Sequence, residues 1–166
     1  MPEKETLERA REDAREGKSP STQAGEFVKE EMDHIREGKH GARSSKQAIA
    51  IGLSKARRAG VKLPPPAKGK TSEATRKKAE RDLSKGRTPA KKKSAKRSRA
   101  VETALKREGR SAASHASLSK QARQSARQRG SAARKQAARK AVRTKGPAEL
   151  SRAAHKAART RQRRAA

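Results

Sequence analysis

The sequence predicts an all-α protein: a small N-terminal helical hairpin followed by Ala/Lys/Arg-rich helical segments with little core, partly disordered when unbound. Two observations point to the hairpin. Residues 44–60 combine helical periodicity, dense large apolar side chains and clean end signals, and a second periodic stretch, 19–37, precedes them. A third observation sets the remainder apart: beyond Pro66 the chain turns basic and alanine-rich, with glycines at helix-length intervals. Charge divides similarly, since residues 1–40 hold 8 basic and 11 acidic side chains, net −3, and residues 41–166 hold 39 and 6, net +33.

Four segments follow. Residues 1–18 read as a charge-laced helix or tail, with Glu and Arg at helical neighbour spacings, Gly17 at its end and only Leu7 to bury. Residues 19–63 form the hairpin module. Its first helix starts at Ser19-Pro20, stops at Gly38, and places Ala24, Gly25, Phe27, Val28, Met32 and Ile35 on one arc interrupted by Glu31. Glu26, Glu30, Asp33 and Glu37 stand opposite, so this helix is expected to be amphipathic and acidic on its outer face. Its second helix opens at Ser44, with Gln47 three residues on as a capping box, and closes at Gly60-Val61. Ala48, Ile49, Gly52, Leu53 and Ala56 make its packing arc. Gly52 should let the two backbones approach near Phe27 or Val28, because a mid-helix glycine otherwise costs about 1 kcal/mol relative to alanine.

Residues 64–70 begin with three prolines and serve as a linker. Residues 71–166 form a basic, low-complexity helical tail, which glycines divide into pieces at about 71–85, 89–108, 118–129, 131–145 and 147–164. Ser-Lys-Gln-Ala at Ser45 recurs at Ser119, and Arg-Lys-Gln-Ala stands at Arg134. Large apolar residues number nine between Ser21 and Leu63 but six from Pro64 to Ala166, so any compact part is expected in the N-terminal third. A module this small usually leans on disulfides, metals or association. Homodimerisation through the hairpin, with Ile51 as a second contact surface, or ordering on a partner is the expectation.

With 47 Lys or Arg against 17 Asp or Glu among 166 residues, net +30, the leading partner is a polyanion. The candidate phosphate contacts are Lys46, Lys55, Arg57 and Arg58 on the hairpin, then Lys91, Lys92, Lys93, Lys96, Arg97 and Arg99, and finally Arg134, Lys135, Arg139, Lys140 and Arg143. The last five spread around their helix, which suits contact with phosphates more than base reading. At one duplex charge per about 1.7 Å, the +33 region could neutralise roughly 16 base pairs. Single-strand binding by stacking is disfavoured, because Phe27 is the one aromatic residue. Thr88-Pro89-Ala90-Lys91 is similar to the Ser/Thr-Pro-x-Lys elements of linker-histone tails and serves equally as a helix start.

Other classes are set aside. There is no cysteine for a disulfide, thiolate ligand or thiol nucleophile. His34, His40, His115 and His155 are scattered, and although Asp33, His34 and Glu30 could serve as ligands, no second cluster at ligand spacing completes a metal site. Catalysis, cofactors and membrane insertion are not expected, and the N-terminus lacks the order of a signal peptide.

The run Gly25-Glu26-Phe27-Val28 through Glu37-Gly38-Lys39-His40-Gly41, followed by Lys46-Gln47-Ala48-Ile49-Ala50-Ile51-Gly52-Leu53 and on to Gly60, resembles a bacterial domain family of unknown function. Its members are small basic proteins, some labelled histone-like or DNA-binding. The resemblance implies association with DNA in a bacterial cytoplasm, and it brings no catalytic or ligand residues. The expected function is therefore non-enzymatic nucleic-acid binding, histone-like or nucleoid-associated, with DNA favoured over RNA. The alternatives are an RNA- or ribosome-associated assembly factor, and an adaptor whose acidic helix binds a basic partner.

Overall fold

A computed structural model describes residues 2–88 and 94–165, and its regular elements are all helices, with no strand among the described residues. The helices are α1 (Lys4–Arg15), α2 (Pro20–Glu37), α3 (Ser45–Arg58), α4 (Glu73–Arg87), α5 (Ala95–Lys106) and α6 (His115–Ala165), with a single 3₁₀ turn at Ser111–Ala113. The chain forms two compact units, Met1–Gln121 and Ala122–Ala166.

Local chemistry sets the boundaries of the hairpin. Ser19 caps α2 by accepting from Thr22 N, Pro20 occupies the first turn, and Gly38 at φ 80° ends the helix. Ser44 caps α3 by accepting from Gln47 N at 3.3 Å, while the Gln47 carboxamide oxygen accepts from Arg43 N, one residue before the expected capping-box partner. Gly60 at φ 97° closes α3, with Val61 N donating to Ala56 O and Gly60 N to Arg57 O.

The two helices run antiparallel. One core cluster joins Met32 and Ile35 of late α2 to Ala48 of early α3, and the other joins Ala24 and Phe27 of early α2 to Ala56 and Val61 at the end of α3. Between them the backbones nearly touch. A Cβ built on Gly52 would lie 2.7 Å from Val28 Cα and 3.0 Å from Phe27 O, where the glycine was expected to admit its neighbour.

The compact unit extends well past residue 63. Helix α1 packs on α2 and buries Thr6, Ala10 and Asp13, instead of standing free as a solvated helix. Helix α4 packs on α3 through buried Ala79 and Asp82. Asp82 accepts from Ser54 Oγ at 2.6 Å and Arg58 Nε at 2.8 Å. Ile51 shares the face of α3 that carries Ser54 and Arg58, the two residues that bond Asp82 of α4, and is half-buried.

The segment after α5 returns to the hairpin loop. Gly41 N donates to Leu105 O, Ala42 N to Gly109 O, and buried Ser45 Oγ to Ala112 O at 2.6 Å. A side chain on Gly41 would run into the Glu108 carbonyl. Ala112 and Ala113 are buried in the first cluster, with Leu118 packed against it. Alanines and backbone hydrogen bonds hold this docking, which a tally of large apolar residues does not register.

The predicted tail pieces match the elements with two adjustments. Helix α5 begins at Ala95, capped by Ser94, and Thr88 ends α4 in extended geometry; Pro89, Ala90, Lys91, Lys92 and Lys93 lie outside the described residues. Helix α6 leaves helical geometry at Gly130 (φ 75°, ψ 171°) and Gly146 (φ 72°, ψ 164°), where breaks were expected. Of the described helices, none is long and apolar enough to cross a membrane.

Candidate nucleic-acid interface

In the unit Ala122–Ala166 helix formation comes from alanine, arginine, lysine and glutamine, which favour the helix without burial. This unit carries 15 Lys or Arg and one acidic residue, Glu149, for a net charge of +14. Arg134, Lys135, Arg139, Lys140 and Arg143 are all exposed on the piece between the two glycines. At about 100° per residue they occupy most of its circumference, so a polyanion could meet cations from several directions. Arg134 Nε donates to Gly130 O at 3.2 Å, a contact within its own helix that leaves the charge accessible.

Helix α5 presents Lys96, Arg97 and Arg99 in its first turns; all three are exposed, and the helix buries no residue. Lys91, Lys92 and Lys93 lie outside the described residues.

The hairpin cations separate into two groups. Lys46 is exposed and open to a ligand. Lys55 and Arg57 are engaged inside the fold, and exposed Arg58 is paired with Asp82. Lys55 Nζ lies 2.7 Å from Glu31 Oε2 and 3.1 Å from Glu30 Oε1. Burial presses the Lys55 ammonium down, but these two carboxylates outweigh it and hold its pKa above the ordinary lysine value. Arg57, 7% exposed, donates to the carbonyl oxygens of Leu63 and Pro64 because the turn at Gly60 folds the chain back over it. Burial lowers its pKa, with the Asp82 charge acting in the other direction. Arg58 pairs with Asp82 while keeping almost half its side chain in solvent.

Helix α3 is therefore covered by α2 on one face and α4 on another. Its exposed residues are Lys46, Ala50 and Arg58, too few for a row of base-reading side chains.

The acidic face predicted for α2 is also engaged internally. Glu26 pairs with Arg9 at 2.7 Å, Glu30 with Lys55, Asp33 with Arg36 at 3.2 Å, and Glu37 with Lys39 at 3.0 Å. Glu30, assigned to the outer face by periodicity, is buried because α1 lies across it: Glu3 N donates to Glu30 Oε2 at 3.1 Å. Burial pushes the Glu30 carboxyl up, but the Glu3 N–H, the Thr6 hydroxyl and Lys55 outweigh it and hold it below the ordinary carboxylate value.

Sequence reasoning missed one cluster in the same place. Glu31, His34 and His40 bring three potential metal-ligand atoms within 4.8 Å of one another. The available signal was the spacing Glu31-x-x-His34, one helical face, with His40 two residues beyond the terminating Gly38.

Residues 15–68, which cover α2, α3 and the turn that closes α3, match the model of a family of unknown function, DUF6496. No curated protein and no solved structure matches the chain.

Proposed function

We propose that the protein is a non-enzymatic nucleic-acid-binding protein that coats or bridges duplex DNA through phosphate contacts with little sequence preference, in the manner of a nucleoid-associated protein. The observation that carries this reading is the unit Ala122–Ala166: net +14, helical, and exposing Arg134, Lys135, Arg139, Lys140 and Arg143 around one helical piece. At one charge per about 1.7 Å of duplex, +14 corresponds to roughly 24 Å, or about seven base pairs. Lys46, Lys96, Arg97 and Arg99 add exposed cations from the first unit. Low specificity is supported by the coverage of α3 on two faces and by the single aromatic residue, Phe27, being 1% exposed.

Binding to random-sequence duplex should weaken steeply with salt, by about a thousandfold or more between 50 and 200 mM if six or more phosphates are neutralised. Replacing the five cations between Arg134 and Arg143 with glutamine should flatten the log–log slope by about 4–5 if each meets one phosphate. An affinity indifferent to salt would sink the reading. Competition with structured RNA distinguishes the substrates: preference for RNA at equal salt transfers the function to an RNA or ribosome assembly role.

A further inference from the structure

The first unit contains an electrostatic deficit at odds with the chain around it. Four carboxylates, Glu3, Glu30, Glu31 and Glu37, meet two lysines, Lys39 and Lys55, so the carboxylates outnumber the ammonium groups. Glu31 is the centre of the deficit. Its side chain is 1% exposed, and neither carboxylate oxygen has a well-aligned hydrogen-bond donor. Oε2 faces Lys55 Nζ at 2.7 Å and Oε1 faces His40 Nε2 at 3.2 Å, near in distance but not aligned as hydrogen bonds.

The histidines are held in matching tautomers. The carbonyl of Gly41 can only accept, so His40 Nδ1, 3.1 Å away, carries a proton, and Nε2, 3.2 Å from Glu31 Oε1, is the nitrogen left for a ligand. A cation shared between the two atoms, either a proton on Nε2 or a metal ion, satisfies both. His34 Nε2 donates to the Glu3 carboxylate at 2.8 Å, so Nδ1 is the nitrogen left for a ligand. Each imidazole thus has an outer N–H anchored on a carbonyl or carboxylate, the arrangement that orients histidine as a metal ligand. The ring centroids lie 5.9 Å apart in a T-shaped pair.

From these observations we infer that Glu31, His34 and His40 form a binding site for a borderline divalent transition-metal ion such as Zn²⁺. A tetrahedral site with bonds of about 2.0–2.1 Å has ligand atoms about 3.4 Å apart, so the present separations of up to 4.8 Å close with side-chain rotations of about an ångström. Lys55 need not leave, because Glu30 Oε1 holds it at 3.1 Å. The scaffold is fixed on both sides: Glu31 and His34 share one face of α2, and the loop carrying His40 is tied by Gly41 N to Leu105 O. The ion would join α2, the hairpin loop and, through Glu3, the start of α1. That fits a small unit with few large apolar residues.

The test uses the untagged full-length chain, freed of nucleic acid and of metal with a chelator. Titration with Co²⁺ should give visible d–d bands that saturate at one equivalent and disappear as Zn²⁺ displaces the cobalt. His40→Ala, His34→Ala and Glu31→Gln should each weaken binding at least about tenfold, whereas His115→Ala and His155→Ala should leave it unchanged. A second measurement needs no variant: imidazole resonances in ¹H–¹⁵N spectra of the wild-type chain should shift for His34 and His40 on adding Zn²⁺, and not for His115 or His155. The inference is overturned if no equivalent is bound, if binding survives loss of both His34 and His40, or if the shifts fall on His115 or His155. Because no nucleic acid is present, the outcome is independent of the DNA-binding proposal.

Discussion

Replacing Gly52 with alanine adds one methyl group where α3 crosses α2, and the added atom would lie 2.7 Å from Val28 Cα and 3.0 Å from both Phe27 O and Val28 Cγ2. Ordinary carbon contacts are about 3.5–4.0 Å, so α3 must withdraw by most of an ångström. The nearest obstacle is backbone, which cannot rotate aside. Such overpacking typically costs about 1–3 kcal/mol, set against about 0.8–1 kcal/mol gained by removing glycine from a helix interior. The net expectation is a loss of about 1 kcal/mol, reaching about 2 kcal/mol if the backbones cannot part. Gly25 supplies the control: it lies inside α2, is exposed, and has no neighbour within 4 Å of an added Cβ. There the same substitution should yield only the propensity gain, about 0.5–1 kcal/mol. In a unit of 121 residues each kcal/mol moves the thermal midpoint by about 3–6 °C, so the variants should separate by roughly 10 °C. Thermal and urea unfolding of the full chain, followed by circular dichroism at 222 nm, measures both. If Gly52→Ala is as stable as the wild type or stabler, the two backbones do not meet at Val28 and the hairpin geometry is refuted.

Lys55→Met should destabilise the first unit by about 3–5 kcal/mol in urea titration, because it strands the buried carboxylates of Glu30 and Glu31 without their cation. Lys46→Met, on the same helix but exposed, should change stability by less than about 0.5 kcal/mol, and similar effects from the two would contradict the internal role of Lys55. Asp82→Ala removes the acceptor shared by Ser54 and Arg58 and should cost about 1–3 kcal/mol. Amide exchange should then quicken in α4 well before α2, whereas uniform acceleration would mean that Asp82 does not specifically tie α4 to α3.

The helices and their ends were legible in the sequence because local chemistry determines them. Ser19 and Ser44 do what their side chains favour, Gly38 and Gly60 adopt the left-handed conformation that ends a helix, and Gly52 meets Val28 as its place on the packing arc required. The extent of the first unit was not legible. Its later part is held by alanines and by carbonyl acceptors at Leu105, Gly109 and Ala112, none of which stands out in composition. The candidate interface was read from charge, and charge alone does not tell a solvated cation from an internal one. Lys46 and Lys55 look alike in sequence, but Lys55 lies beside carboxylates whose burial depends on α1, a long-range contact that helical periodicity omits. The same omission concealed the grouping of Glu31 with His34 and His40.

The glycines within α6 also separate two properties that a basic helix normally ties together. Gly130 and Gly146 adopt φ near +75° with ψ near 170°, a combination that a residue with a Cβ hardly reaches. The number of cations along the Ala122–Ala166 unit is set by its lysines and arginines, whereas the path along which they are presented is set by two residues bearing no charge. Substitution at either glycine would redirect the row of cations without changing their number, so the shape of the polyanion it best follows could change while net charge stays constant.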